Sequence, residues 1–268
     1  PPPPPHAREQ GGARARGGRG GAGMGRPRLA AFVGGCSFMG VYHAGAAWAV
    51  QSRGLGWGRL GGASSGSLVA AALACDTDPR DLRDAFLRAA SEARERPFLG
   101  PIGRLGRIVG DTMDGLLPAD AHQRCDGGRL NISVCRAEGP LWYTGLRNLR
   151  LSTWSSREDL LQALQVSCHL PLVSGPEPAF RGRRGWIDGG TLRPGNLPAP
   201  DLDPPDVTIS HWPATECAGA SRGTICPEAG RGFSSWWETV FPPGRARLLE
   251  LFREGELDAE RWLRVQDF

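Results

Sequence analysis

A serine between two glycines is the residue of this sequence best suited to act as a nucleophile. Ser64 lies at the centre of a G-x-S-x-G pattern that begins at Gly62 and ends at Gly66. The pattern is typical of a tight strand-to-helix turn that exposes the serine hydroxyl beside the unpaired N–H groups of a helix N-terminus. The small apolar residues at 67–73 favour such a helix, packed closely under a sheet. A glycine- and serine-rich loop is the alternative, because the chain has 39 glycines and the motif alone is weak.

A second glycine-rich turn can supply the backbone N–H groups that acyl transfer also requires. It covers residues 34–40, after a short apolar strand, and glycine lets the main chain approach a ligand closely. We expect an oxyanion hole built from the N–H groups of Gly35, Cys36, Ser37 and Ser65. Phosphate binding by a nucleotide is the alternative, but the turn lacks the lysine of a P-loop and a complete G-x-G-x-x-G.

Asp188 is the candidate base. It follows an apolar pair at 186–187 and precedes Gly189 and Gly190, which leave room beside it. A carboxylate can accept a proton from a hydroxyl when partial burial raises its pKa. The order Ser, Asp, His would also allow a triad that includes His211, and Asp-Gly-Gly alone fits an ordinary turn. The residues themselves leave the dyad and the triad open.

The elements that must position these residues alternate between strands and helices. Residues 55–61, just before Ser64, have little strand character, although a parallel sheet needs a strand there. The segment at 141–146 is expected to return as the partner of the strand at 130–134. The remaining periodicities predict strands at 29–33, 130–134, 186–187 and 207–210, and helices at 41–53, 67–73, 79–96, 102–117, 159–167 and 245–265.

Composition places the chain among ordinary globular proteins and gives little support to nucleic-acid binding. Of its 268 residues, 40% are hydrophobic and 22% are charged. The formal net charge of +4 owes much to arginines in the first 27 residues, and no motif that reads RNA or DNA is found. We therefore expect no nucleic-acid partner.

The cysteines and the apolar runs predict reduced thiols and a cytoplasmic protein. The seven cysteines are odd in number and include no CxxC pair. No apolar run approaches the ~20 residues of a membrane span, and no signal-peptide core precedes the domain, so any membrane contact is expected to be peripheral. The cysteines are Cys36, Cys75, Cys125, Cys135, Cys168, Cys217 and Cys226.

Three ordered motifs together resemble those of the patatin-like phospholipase domain family, in particular its animal branch. They are the glycine-rich turn with the residues after it (35–43), the G-x-S-x-G at 62–66 and the Asp-Gly-Gly at 188–190. The resemblance extends from residue 28 to the C-terminus. Its motif glycines are Gly40, Gly62, Gly66, Gly189 and Gly190, and supporting stretches lie at 117–122, 155–160, 196–198 and 225–227.

This resemblance implies a three-layer α/β/α fold around a mostly parallel sheet and a Ser64–Asp188 dyad that needs no histidine. It also implies a lipase that cleaves fatty acyl esters, such as triacylglycerol, retinyl ester or phospholipid, in lipid degradation. The expected partners are a lipid ester, a peripheral lipid-droplet or membrane surface and a protein co-activator. No cofactor and no metal are expected.

One departure from the family pattern leaves an alternative open. Ser37 stands where the family's turn has its second glycine, and a serine with an ordinary φ would misplace one N–H group, at a cost of about 10²-fold in rate. With the short segment at 55–61, this favours the alternative of a catalytically weak or inactive lipid-surface protein that keeps the fold. Transacylation is a further reading that differs only in the acyl acceptor.

We predict three regions along the chain. Residues 1–27 form a disordered leader rich in Pro, Gly and Arg, because they cannot bury enough apolar surface to fold. Residues 28–201 form the patatin-like phospholipase domain. Residues 202–268 form a C-terminal extension with a strand and an amphipathic helix, whose apolar stripe can pack on the domain or dock on a lipid surface.

Overall fold

A sheet of seven strands runs through the part of the chain that the structure, a computed structural model, describes: residues 27–96, 99–139, 144–191, 205–212, 223–228 and 241–268. Nearly all of the predicted leader and the stretch at 196–198 lie outside these residues. The strands are β1 Arg28–Val33, β2 Gly56–Ala63, β3 Leu130–Ala137, β4 Leu146–Leu151, β5 Trp186–Ile187, β6 Val207–Ile209 and β7 Thr224–Ile225. The helices are α1 Gly40–Ser52, α2 Ser65–Ala74, α3 Pro79–Arg94, α4 Leu105–Leu116, α5 Ala121–Cys125, α6 Arg157–Ser167 and α7 Arg245–Val265, with a 3₁₀ turn at Ser37–Met39.

The sheet is mostly parallel, which confirms the predicted fold class. Its strand order is β4-β3-β2-β1-β6-β7, and the pairs β3–β2, β2–β1, β1–β6 and β6–β7 are all parallel. Strands β4 and β5 both run antiparallel to β3. Described helices lie between β1 and β2, between β2 and β3 and between β4 and β5, and they flank the sheet, as parallel connections require.

Local sequence signals account for several helix boundaries. The carboxylate of Asp78 accepts the N–H of Arg80 at 2.8 Å, and Pro79 occupies the first helical position of α3. The Ser156 hydroxyl accepts the N–H of Asp159 at 3.1 Å and begins α6 in the same way. Helix α2 is made of small residues that are all buried, as its predicted position under the sheet requires.

Strand β2 is stronger than its composition indicates. The sequence gives residues 55–61 little strand character, but the structure has an eight-residue strand that pairs with β1 on one side and β3 on the other. Its several glycines lower the intrinsic propensity, and pairing on both edges overrides that propensity. The partner of β3 also differs from the prediction: β4 begins at Leu146 rather than at 141, and residues 140–143 lie outside the described part.

Helix α7 packs closely along α1. A side chain at Gly45 or Gly255 would overlap the backbone of the opposite helix, so the glycines allow the close approach. The Tyr42 hydroxyl on α1 donates a 2.8 Å hydrogen bond to Asp258 on α7. Most of the predicted stripe on α7 is buried in this contact, while Leu257 remains 45% exposed. The stripe therefore packs mainly on the domain.

No helix in the described segments is long and apolar enough to cross a membrane. The six cysteines within those segments are free thiols, and Cys217 lies outside them.

Candidate active site

Ser64 occupies a strained turn between β2 and α2. Its φ is 53° and its ψ is −135°, a backbone conformation that a residue with a side chain rarely adopts and that costs about 1–3 kcal/mol. Hydrogen bonds on both sides hold the turn. The Ser64 N–H donates to the Ser167 hydroxyl at 3.0 Å, and the Ser67 hydroxyl and N–H both donate to the Ser64 carbonyl.

The two motif glycines around Ser64 are required by space rather than by φ. A side chain at Gly62 would overlap the Gly66 carbonyl, and one at Gly66 would overlap the carbonyls of Val33 and Gly34. Both glycines have ordinary φ values, and the serine between them takes the positive φ. The turn is therefore packed directly against the end of β1.

Strands β2 and β5, which both pair with β3, bring Asp188 to Ser64. Strand β2 runs parallel to β3 and makes its last pair at Ser133. Strand β5 runs antiparallel to β3 and pairs with it at Cys135 and Arg136. The two strands therefore point towards each other along the same edge of β3, with only Val134 between their last pairs. Ser64 follows one strand and Asp188 follows the other, so residues far apart in the sequence meet.

Burial raises the pKa of the Asp188 carboxyl. The residue is 7% exposed, and loss of hydration raises its pKa to about 6. Two hydrogen-bonding interactions lower the pKa and so oppose this rise. One is with the Ser64 side chain, and the other is with the N–H of Gly190, which donates to the carboxylate at 2.8 Å. A carboxyl with this pKa is mostly ionised at pH 7 yet remains basic enough to accept a proton. Gly189 is required beside it, because a side chain there would overlap the Ser133 carbonyl.

The predicted oxyanion turn follows β1 and faces the Ser64 turn. Ser37 has a φ of 54°, so the ordinary φ with which a serine here would misplace its N–H group is not present. The Cys36 N–H donates to the Ser65 hydroxyl at 3.0 Å, which ties the two turns together, and the Gly35 carbonyl accepts the indole N–H of Trp212 at 3.4 Å. Among the described residues, the N–H groups of Ser37 and Ser65 have no acceptor. These two N–H groups are therefore the candidate donors to an oxyanion.

Gly40 and His211 belong to the surroundings of the site. A side chain at Gly40 would meet the ring of Phe86 at 2.6 Å, so this motif glycine serves packing. His211 is buried with its ring edge against Tyr42, with ring centroids 5.8 Å apart. Burial, reinforced by the charge of Arg247, lowers the pKa of His211 to about 4. The structure thus places His211 in a cluster with α1.

An apolar pocket opens beside both turns. It holds about 590 Å³ of empty space, part of it open to solvent, and its lining includes Ser37, Ser64 and Ser65. Among the described residues that line it, none is charged. Sequence reasoning missed these residues as functional, because their helical periodicity indicated only a core. Most of the apolar lining comes from α2, α3 and α4: Leu68, Leu82, Phe86, Ala89, Leu105, Ile108, Val109 and Met113.

Comparisons with known proteins agree on one family. A family model described as patatin-like phospholipase matches residues 31–203, more than half of the chain. Patatin-like phospholipase domain-containing protein 2 of Mus musculus is 29% identical over 256 residues, which cover 86% of this chain and 49% of that protein. The Mus musculus protein named 1-acylglycerol-3-phosphate O-acyltransferase Pnpla3 is 30% identical over 185 residues, 66% of this chain and 42% of that protein.

Among solved structures, VipD from Legionella pneumophila aligns with a TM-score of 0.48 and 13% identity, over 89% of this chain and 67% of that chain. The chain spans about half the length of the curated relatives it matches.

Proposed function

Because this chain belongs to the patatin-like phospholipase family of acyl hydrolases, we propose that it cleaves fatty acyl esters with Ser64 as nucleophile and Asp188 as base. Family membership supports ester hydrolysis in general. The Ser64–Asp188 dyad and the fatty acyl substrates are what we propose beyond it. The observation that carries it is a serine on a strained turn whose side chain interacts with a buried carboxyl of raised pKa.

The proposed chemistry is a two-step acyl transfer. As the Ser64 oxygen attacks the ester carbonyl carbon, the Asp188 carboxylate takes the hydroxyl proton. The N–H groups of Ser37 and Ser65 donate to the oxyanion, and that of Gly35 is a further candidate donor. The N–H of Cys36 would have to leave the Ser65 hydroxyl first. When the tetrahedral intermediate collapses, the alcohol leaves with the proton from Asp188. Water, deprotonated by Asp188, then attacks the acyl-Ser64 ester, and Asp188 returns the proton to the Ser64 oxygen as the fatty acid leaves.

The pocket supports a long acyl chain as the group that is bound. Its lining is apolar apart from three serines, one threonine and one cysteine, and an uncharged apolar wall favours hydrocarbon. Triacylglycerol, retinyl ester and phospholipid all present such a chain to the nucleophile. They differ in the part that would lie outside the pocket.

An exposed apolar loop supports a lipid surface as partner. Leu172 is 84% exposed and has a φ of 71°, so two unfavourable features coincide at one residue. The Gly103 N–H donates to the Val173 carbonyl at 2.8 Å, so the segment that carries Ile102, 38% exposed, is bonded to the loop that carries Leu172. Leu170 of the same loop lines the pocket. Location on a lipid droplet and a protein co-activator belong to this proposal through the family resemblance.

Nucleophile replacement is the test of this function. We expect Ser64→Ala and Asp188→Asn each to lower the rate of p-nitrophenyl butyrate and emulsified triolein hydrolysis by about 10⁴-fold. Ser91→Ala, an exposed serine on α3, is the matched control and should keep wild-type activity. Wild-type rates in Ser64→Ala would refute the proposal.

Transacylation is the second candidate, and a relative's name favours it: the Mus musculus protein at 30% identity is called an acyltransferase. The same acyl-Ser64 would then be attacked by an alcohol instead of water. Product analysis with monoolein as added acceptor separates the two, since transfer makes diolein and hydrolysis makes free fatty acid. The inactive lipid-surface alternative predicts that a fluorophosphonate probe does not label Ser64.

A further inference from the structure

One turn at the end of α6 holds both candidate catalytic residues by their backbones. The hydroxyl of Ser167 accepts the N–H of Ser64 at 3.0 Å. The carbonyl of the same residue accepts the N–H of Gly189 at 3.0 Å, and the carbonyl of His169 accepts the N–H of Asp188 at 2.8 Å. Residues 167–169 therefore connect the nucleophile turn to the acid turn directly.

The Ser167 hydroxyl performs two hydrogen-bonding tasks that few side chains can combine. While it accepts from Ser64, it donates to the Ser133 carbonyl on β3 at 2.8 Å. A hydroxyl is both donor and acceptor, so one oxygen satisfies an N–H and a C=O at once. Ser167 is fully buried, and water is therefore poorly placed to replace either bond.

The N–H that Ser167 accepts belongs to the residue with the strained backbone. Ser64 keeps a φ of 53° because its surroundings fix the turn, and its N–H has Ser167 as its acceptor. Ser133, the other partner, lies opposite Ala63 in the β2–β3 register. The hydroxyl thus joins β3 to the turn that immediately follows β2.

We propose that Ser167 is a positioning residue that sets the Ser64 hydroxyl at the distance and angle from Asp188 that proton transfer requires. The inference rests on the function proposed above. Without the Ser167 hydroxyl, the Ser64 turn loses the bond at its N–H, while the N–H groups of Asp188 and Gly189 keep their bonds to the carbonyls of His169 and Ser167. The nucleophile then moves relative to the acid, and a displacement of about 1 Å in such a pair costs about 10²-fold in rate.

The test separates the chemical step from binding. For Ser167→Ala we expect kcat on p-nitrophenyl butyrate to fall by about 10- to 10²-fold, with KM within about threefold of wild type. The second-order rate of fluorophosphonate labelling at Ser64 should fall in parallel, because labelling needs the same aligned hydroxyl. A role in folding alone would lower the midpoint of urea unfolding and leave both rates of the folded protein unchanged.

Ser156→Ala is the matched control, since it is the same substitution at the opposite end of the same helix. It removes the hydrogen bond from Asp159 N–H and should lower stability while it leaves kcat and labelling at wild-type values. If Ser167→Ala does not fold, Ser167→Cys tests the positioning role instead. The cysteine side chain has the shape of serine and is slightly larger, and its thiol weakens both hydrogen bonds. Its kcat should then fall at least fivefold.

Two outcomes would overturn a claim, and they are distinguishable. Wild-type kcat and labelling in a folded Ser167→Ala, or in Ser167→Cys, refutes the positioning role even when Ser64→Ala is inactive. Wild-type activity in Ser64→Ala refutes the function itself.

Discussion

Two turns of this molecule each contain a serine with a positive φ, and they differ in their chemistry. The turn after β1 contains Ser37 with a φ of 54°, and the turn after β2 contains Ser64 with a φ of 53°. Each follows a central parallel strand, each leads into a helix, and Val33 and Gly62 pair directly before them. Both serines line the same pocket. A positive φ is therefore common to both serines and does not by itself mark a nucleophile.

What distinguishes the turns is the side chain that meets each of them. Asp188 reaches Ser64 from the end of β5 and interacts with its side chain. At the other turn, the available groups are main-chain N–H donors, and the side chain at 37 is not needed for them. In the proposed function one turn thus carries the reacting atom and the other stabilises charge.

The largest expected effect comes from placing glycine, the residue that a positive φ favours, at position 64. Ser64→Gly relieves the positive φ but removes the hydroxyl, so hydrolysis of p-nitrophenyl butyrate should fall by about 10⁴-fold while the protein remains folded. Urea unfolding followed by circular dichroism checks the second part. A variant that is both folded and active would show that another residue is the nucleophile.

The next largest effect is expected where the two turns pack against each other. Gly66→Ala places a methyl group against the carbonyls of Val33 and Gly34, which are backbone atoms of the opposite turn. We expect the free energy of unfolding in urea to fall by about 3 kcal/mol. Gly115→Ala on α4 is the control: its methyl group meets nothing within 4 Å, so stability should hold or rise. Equal stability of the two variants would contradict the close packing.

The loss of kcat/KM at acid pH should depend on the Ser64 turn and its base, and not on the Ser37 turn. Burial raises the pKa of Asp188 to about 6, and the base must be ionised, so kcat/KM should fall tenfold per pH unit below about 6 and level off above it. Ser37→Gly should leave the midpoint unchanged. A midpoint of about 4 would contradict the raised pKa of Asp188, because an aspartate without the effect of burial titrates there.

The smallest effect is expected at the oxyanion turn. Ser37→Gly keeps the N–H and removes the strain of a φ of 54°, so activity should stay within about threefold and stability should rise by about 1 kcal/mol. Initial rates and urea unfolding measure the two quantities. A loss of more than tenfold would mean that the Ser37 hydroxyl itself takes part in the reaction.

The sequence predicted much of the frame, because the signals concerned are local. Helix α7 begins and ends where its periodicity indicates, and α3 begins at Pro79 as predicted. The alternation at 130–134 identified β3, although the strand continues to Ala137. The family was also identified from three spaced motifs, since each of them reflects a packing requirement on backbone atoms.

The failures concern properties that depend on distant residues. Nothing near Ser37 reveals its positive φ, which is set by the packing of the β1 turn against Gly66 and Ser65. Strand β2 is poor in strand formers and exists because two neighbours pair with it. Ser167 carries no local signal at all, because its partners lie on β3 and after β2.

The head-to-head meeting of β2 and β5 has a consequence for local stability. Strand β5 has two residues and pairs with β3 only at Cys135 and Arg136, so its attachment to the sheet is short. A short, locally attached strand can open without unfolding of the whole domain. Such an opening would part the proposed base from the proposed nucleophile and would interrupt activity while the rest of the sheet stays paired.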